Sequence, residues 1–227
     1  MHSILKENDR DYPDSLTADQ IAHSGNLSVP EGARGVVLFA HGSSTSLHSP
    51  YNRYFAQLLY QAKFATDLMD LLTPEEEATN LRTKHLRCDI DLLATRLISA
   101  TDSLRQNPRT CNLKVGYFGC GIGSAAAMVA AAARPDAVGA IVSRGGRPDL
   151  AGEAVSRVLA ATLLIVGENN LPMIARNRRV LARFFTQKQL EIIPRATHLF
   201  EDPGTLKEVA RLSIQWFQRY LTENSGC

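Results

Sequence analysis

Residues 113–126 read LKVGYFGCGIGSAA, and this stretch decides the fold. The run 113–118 is short and largely apolar, as a buried parallel strand is. Gly119-Cys120-Gly121-Ile122-Gly123 then makes a tight turn, and an Ala-rich run at 123–133 reads as a helix. A strand, a glycine-framed turn and a helix form the setting in which G-x-S-x-G holds a nucleophile on a strained bend. The outer glycines, Gly119 and Gly123, are present and let strand and helix backbones pass closely. The central position is Gly121, which has no side chain and cannot attack a carbonyl.

The same alternation of short apolar runs and helical spacing extends in both directions. GVVLFA at 35–40 is a strand, and Ser49-Pro50 starts a helix that runs to about residue 63 by N-capping and proline at the first turn. A strand at 65–70 is weakened by Asp67, and 73–86 is either a surface excursion or the start of a helix. Residues 89–106 carry Ile90, Leu93, Leu97 and Leu104 at helical spacing. Strands follow at 137–142, 162–166 and 189–193, with a helix at about 172–185. An amphipathic helix at 203–221 turns Leu206, Val209, Ala210, Phe217 and Leu221 inward. Such βαβ repetition implies an α/β fold with a mostly parallel sheet, helices on both faces and right-handed crossovers. Residues 1–19 read as a polar lead-in, and 20–227 as a single domain without a large cap.

Composition narrows the function classes. The 227 residues are 44% hydrophobic and 21% charged with a formal net charge of +2, ordinary for a soluble enzyme-sized domain. That charge gives no footprint for nucleic acid or an anionic membrane. No apolar run approaches the ~20 residues that span a bilayer. The first residues, MHSILKENDRDYPDS, lack a signal-peptide apolar region, so a cytoplasmic protein is expected. Cys88, Cys111, Cys120 and Cys227 have neither zinc spacing nor disulfide density and read as free thiols. No cofactor or metal is implied.

In a parallel sheet the chemistry lies beyond the carboxyl ends of the strands. After 35–40 comes His41-Gly42-Ser43-Ser44, a small loop able to aim N–H groups at an oxyanion. After 162–166 comes Gly167-Glu168-Asn169-Asn170, where an acid that orients a histidine would stand. Asn170 can accept from an imidazole N–H but cannot balance an imidazolium, and Glu168 is a substitute acid if the loop allows. After 189–193 comes Arg195-Ala196-Thr197-His198-Leu199-Phe200. The order elbow, acid loop, histidine is that of an α/β-hydrolase triad.

These segments together resemble the dienelactone-hydrolase-like branch of the α/β-hydrolase superfamily. The resemblance is carried by VVLFAHGSSTSLHSPYNR, DLLTPEEE, VGYFGCGIGSAAA, AIVSRGGRPDLAG, TLLIVGENN and ATHLFEDPG, in that order, over residues 29–221. It implies ester or lactone hydrolysis of a small-molecule substrate. A nucleophile would stand at Gly121, an Asp at Asn170 and a His at His198, with oxyanion donors from His41, Gly42, Ser43 and the N–H of Ile122. Only the histidine of the triad is present. The expectation is a hydrolase scaffold with a degenerate triad, impaired in the usual reaction.

Four other readings compete. Cys120 is a candidate displaced nucleophile with His198 as base, although its place beside the elbow centre points it toward the sheet packing. A water activated by His198 is a further route. Gly121-Ile122-Gly123-Ser124-Ala125-Ala126 also fits the dinucleotide pattern G-x-G-x-x-A, with Arg144 placed to meet a 2′-phosphate. Finally, a protein without chemistry would bind a ligand or partner, for which Arg144, Arg147 and Asp149 form a charged loop. Ser43, Ser44 and Ser124 have no support as nucleophiles, and Ser124 reads as a packing or capping residue. Arg176, Arg178 and Arg179, like Glu75, Glu76 and Glu77, read as solvated surface charge.

Overall fold

The structure, a computed structural model, describes residues 13–18, 21–41, 49–83 and 86–222. Its centre is an eight-stranded sheet. In chain order the strands are β1 (Pro13–Ala18), β2 (Ile21–Ser28), β3 (Val36–His41), β4 (Ala65–Met69), β5 (Val115–Cys120), β6 (Val138–Arg144), β7 (Ala161–Gly167) and β8 (Lys188–Ile193). Their order across the sheet is β1-β2-β4-β3-β5-β6-β7-β8. The six strands from β4 to β8 are parallel, and the β1–β2 hairpin adds to β4 antiparallel. This is the mostly parallel α/β-hydrolase architecture expected.

The hairpin is the largest departure from the sequence reading. Residues 13–28 contain no apolar run, yet they close one sheet edge, and the strand β1 falls within the segment read as a lead-in. Asp67 is fully buried on β4 without interrupting it.

Helices cover both faces. α1 (Pro50–Gln61) and α6 (Thr205–Leu221) lie on one, where Phe55, Leu59, Val209, Trp216 and Phe217 pack on Phe39, Phe118, Val142 and Ile165. α3 (Ile90–Gln106) and α4 (Gly123–Ala133) lie on the other, where Leu93, Leu97 and the alanines of α4 pack on Leu38, Tyr117 and Ile141. α4 is buried around most of its circumference, which its alanines permit because they hold a helix without needing volume. α5 (Leu171–Leu181) packs on β7 and β8, and a 3-10 segment (Pro148–Arg157) packs against α4 and α5. Of the inward residues expected on α6, Val209, Ala210, Phe217 and Leu221 are buried and Leu206 is partly so.

Caps fix the helix starts. Ser49 Oγ accepts from the N–H of Asn52, and Asp89 Oδ1 accepts from that of Leu92. The 73–86 stretch is a helix, α2 (Pro74–Thr83), opened by a reciprocal capping box. The Glu76 N–H donates to Thr73 Oγ1 at 3.2 Å, and the Thr73 N–H donates to Glu76 Oε2 at 2.9 Å. Glu76 also receives Arg96 Nη2 at 3.1 Å, so it is not mere surface charge. No helix among the described residues is long and apolar enough to cross a membrane.

Candidate active site

The bend after β5 has the geometry of a nucleophile elbow. Gly121 has φ +54°, in the left-handed region, between the last residue of β5 and the start of α4. Its neighbours explain the two outer glycines. A Cβ on Gly123 would strike the backbone carbonyl of Ala40, and one on Gly119 would stand 2.7 Å from Ser124 Cα. A Cβ on Gly121, by contrast, would meet nothing within 4 Å among the described residues. The crowding that forbids side chains at 119 and 123 leaves an open slot at 121, where a reacting side chain would project. The N–H of Ile122 is taken by no described acceptor and is free for an oxyanion. Gly42, Ser43 and Ser44 lie outside the described residues.

The close backbone contacts account for the G-x-G-x-x-A pattern without a pyrophosphate. Arg144 is also not where a 2′-phosphate would need it. It is 6% exposed, with its guanidinium 5.3 Å from the ring centre of Phe55 and 5.8 Å from that of Tyr51. The charged-loop reading of Arg144 is therefore corrected. Arg147 and Asp149 do form the expected local pair, Nε to Oδ1 at 2.8 Å. Arg176, Arg178 and Arg179 are exposed as expected.

His198 sits on the loop between β8 and α6. That loop is braced at two points: the Arg195 N–H donates to Glu168 Oε2 and the Thr197 N–H to Asp202 Oδ2, each at 2.8 Å. The exposed imidazole lies over Gly145, where a Cβ would stand 3.3 Å from both Nδ1 and Cε1. Two residues further on, the Arg147 N–H donates to the carbonyl of Gly121 at 2.9 Å. The loop after β6 thus joins the histidine to the elbow.

Nothing joins the histidine to the acid loop. Among the described residues His198 makes no side-chain hydrogen bond. Asn170 Oδ1 instead accepts from the N–H of Met173 at 3.3 Å as the N-cap of α5. Glu168 is occupied by Arg195, and Asn169 Nδ2 donates to the Arg195 carbonyl at 3.0 Å. The acid loop holds the shape of the histidine loop, and among the described residues none of its side chains is hydrogen-bonded to the imidazole.

Cys120 has a different setting from the one expected. It ends β5, in register with His41 on β3 and Arg144 on β6, so the three side chains share the α1/α6 face at the carboxyl edge of the sheet. Arg144 Nη2 donates to Cys120 Sγ at 3.3 Å, and the His41 ring is hydrogen-bonded to the same sulfur. Cys120 is partly exposed rather than sealed in packing. Burial pushes the thiol up, but the His41 hydrogen bond and the Arg144 charge outweigh it and bring the pKa down to about 6. Above this row, Tyr51 Oη donates to Glu201 Oε1 at 3.0 Å, which holds the phenol above its ordinary value. Sequence reasoning missed Tyr51, Phe55 and Glu201. Period-two alternation along β6, which places residues 140, 142 and 144 on one face, was the signal for Arg144. Ser124 is buried and accepts from Ser143 Oγ at 3.0 Å, a packing role.

Known proteins resemble this arrangement closely. A crystal structure titled dienelactone hydrolase, from Anabaena variabilis, is 57% identical, with a TM-score of 0.91 over 93% of this chain and 98% of that one. The esterase Est1E from Butyrivibrio proteoclasticus shares the fold, with a TM-score of 0.69 at 13% identity over 89% of this chain and 98% of its own. Curated proteins from two strains of Mycobacterium tuberculosis, provisionally named phosphoribosyl transferases, are 50% identical over 212 residues, 93% of this chain. The match spans 47% of their length, so the chain covers about half of those relatives. No family model matches the chain.

Proposed function

The chain belongs to the dienelactone-hydrolase family, and from that premise we propose that it keeps the family's pocket scaffold while lacking covalent ester or lactone hydrolysis. The observation that carries the proposal is Gly121: an elbow residue at φ +54° whose side-chain slot is open. Acyl transfer on this fold needs an attacking atom at that point, an oxyanion donor beside it and a histidine to move the proton. The free N–H of Ile122 and His198 supply the second and third. Glycine cannot supply the first.

The acid position supports the same reading. Asn170 spends its side-chain oxygen on capping α5, so an imidazolium at His198 would have no carboxylate beside it. Two changes in one triad, with the elbow backbone kept, fit loss of chemistry with retention of a small-molecule pocket. Neither rescue route gains support. Cys120 is tied to His41 and Arg144 and not to His198. A water activated by His198 would lack both the nucleophile and the acid, leaving at most residual catalysis of roughly 10³–10⁴-fold over water. The phosphoribosyl-transferase name belongs to chains about twice as long and is carried onto no residue of this one. We place the protein in the cytoplasm, with an ester- or lactone-like small molecule as its ligand class.

The test is steady-state hydrolysis of a short-chain nitrophenyl ester by the parent protein, His198→Ala and Cys120→Ala. All three are expected to match buffer after at most one acylation per molecule. Multiple turnover in the parent that disappears with His198→Ala would overturn the proposal.

A further inference from the structure

The side chains of His41, Cys120 and Arg144 stand outside the Gly121–His198 pair, yet their row has the features of a reactive site. Arg144 is nine-tenths buried and carries a full charge. Its Nη2 is satisfied by Cys120 Sγ, while its Nη1 is buried with no partner among the described residues. A buried guanidinium N–H without an acceptor is costly, so its place beside a sulfur calls for an added acceptor there. Phe55 and Tyr51 close the guanidinium's other side with their ring faces and offer no lone pair in its plane. Cys120 as a residue keeps some exposed surface at this edge of the sheet.

We propose that Cys120 is a hydroperoxide-reactive site, and that Arg144 Nη1 holds the oxygen the sulfur gains. In the step, the Cys120 sulfur gives an electron pair to one oxygen of a hydroperoxide. The O–O bond breaks, an S–O bond forms, and the second oxygen leaves as hydroxide or alkoxide and is protonated by solvent. Sulfur is oxidised by two electrons and the peroxide is reduced by two. The product is a sulfenate, whose oxygen accepts from Nη1 while Nη2 stays on sulfur. The thiol pKa of about 6, set against burial by the His41 hydrogen bond and the Arg144 charge, supplies the attacking thiolate below neutral pH. The charged and titratable groups around it are His41 on β3, Arg144 on β6, and Tyr51 and Glu201 above them.

The expected rate advantage is modest and pH-dependent. At pH 6 about half of Cys120 is thiolate against roughly 0.3% of a free cysteine, an advantage of roughly 150-fold. A lower-pKa thiolate is a weaker nucleophile, which over this interval returns roughly 10–15-fold. The net gain is roughly tenfold at pH 6, vanishes near about pH 7.5 and turns into a roughly threefold deficit at pH 8.

The experiment treats the full chain with hydrogen peroxide and dimedone from pH 5 to 9 and measures the Cys120 adduct by peptide mass spectrometry, with N-acetylcysteine alongside. Cys120 is expected to react about tenfold faster than N-acetylcysteine at pH 6, with a half-point near 6. Arg144→Met, checked for folding by circular dichroism, is expected to move the half-point up, because it removes the guanidinium charge and its hydrogen bond to the sulfur. If that variant does not fold, Arg144→Lys keeps the charge with a single donor group. It is expected to keep a low half-point while its sulfenate passes to sulfinate at least several-fold faster. Cys120 reacting no faster than N-acetylcysteine at pH 6 would overturn the proposal. So would a half-point unmoved in folded Arg144→Met, or a sulfenate equally long-lived in Arg144→Lys.

Discussion

Gly121→Ser asks whether the elbow slot is as open as its geometry indicates. The substitution adds a Cβ and a hydroxyl to a residue at φ +54°. No described residue clashes, because none lies within 4 Å of the new Cβ. What remains is the left-handed backbone, which costs a side-chain-bearing residue about 1–2 kcal/mol. For a chain of this size each kcal/mol lowers Tm by about 2–4 °C, so a drop of about 2–8 °C is expected. Gly123→Ala is the contrast: its Cβ would overlap the Ala40 carbonyl, and a loss above about 3 kcal/mol is expected. Thermal unfolding by circular dichroism measures both. Fluorophosphonate labelling read by intact mass then reports whether the new hydroxyl is presented. Gly121→Ser should label slowly at residue 121, because an amide in place of the triad carboxylate costs roughly 10⁴-fold. Adding Asn170→Asp should speed labelling, since it returns a carboxylate to the acid position. A Tm loss beyond about 15 °C for Gly121→Ser, or a folded variant that labels no faster than the parent, would refute the open slot.

Asn170→Ala should cost about 1 kcal/mol in urea denaturation through loss of the α5 cap, and Asn170→Asp close to nothing, because aspartate caps equally well. Glu76→Ala should cost about 2 kcal/mol, removing half of the α2 capping box and leaving Arg96 without its carboxylate, while Glu76→Gln keeps the cap and loses less. Stability should also carry the signature of Cys120. Its folded pKa, raised by burial but lowered further by His41 and Arg144, lies near 6, below the unfolded value of about 8.5. The unfolded chain therefore binds the extra proton between the two, so this contribution is complete above about pH 9 and lost as pH falls through 6. The stability difference between parent and Cys120→Ser should rise from pH 6 to 9, and a flat difference would count against the depressed thiol.

The buried parallel strands were the most legible part of the fold, because GVVLFA and TLLIV are continuous apolar runs between helical periods. The antiparallel hairpin was not, since PDSLTA and IAHSGNLS at the sheet edge carry no such run. The elbow could be read from Gly119, Gly121 and Gly123, but only the built backbone separates two glycines required by packing from one that leaves a slot empty. Asn170 shows the opposite limit. Its position in the chain order suggested a lost acid, while its cap on α5 is a local bond that the sequence pattern Asn-Leu-Pro also allows. Arg144 was misread because a charge at a strand end looks like a loop residue, and only its register between Cys120 and Ile165 draws it inward.

The most direct test of a lost nucleophile is the intact mass of the parent protein after prolonged exposure to an excess of fluorophosphonate, with Gly121→Ser/Asn170→Asp as the positive control. An empty elbow predicts an unshifted parent mass beside a control that gains one phosphonyl group. A parent that gains one phosphonyl group at a pocket residue, and loses that gain in His198→Ala, would contradict it.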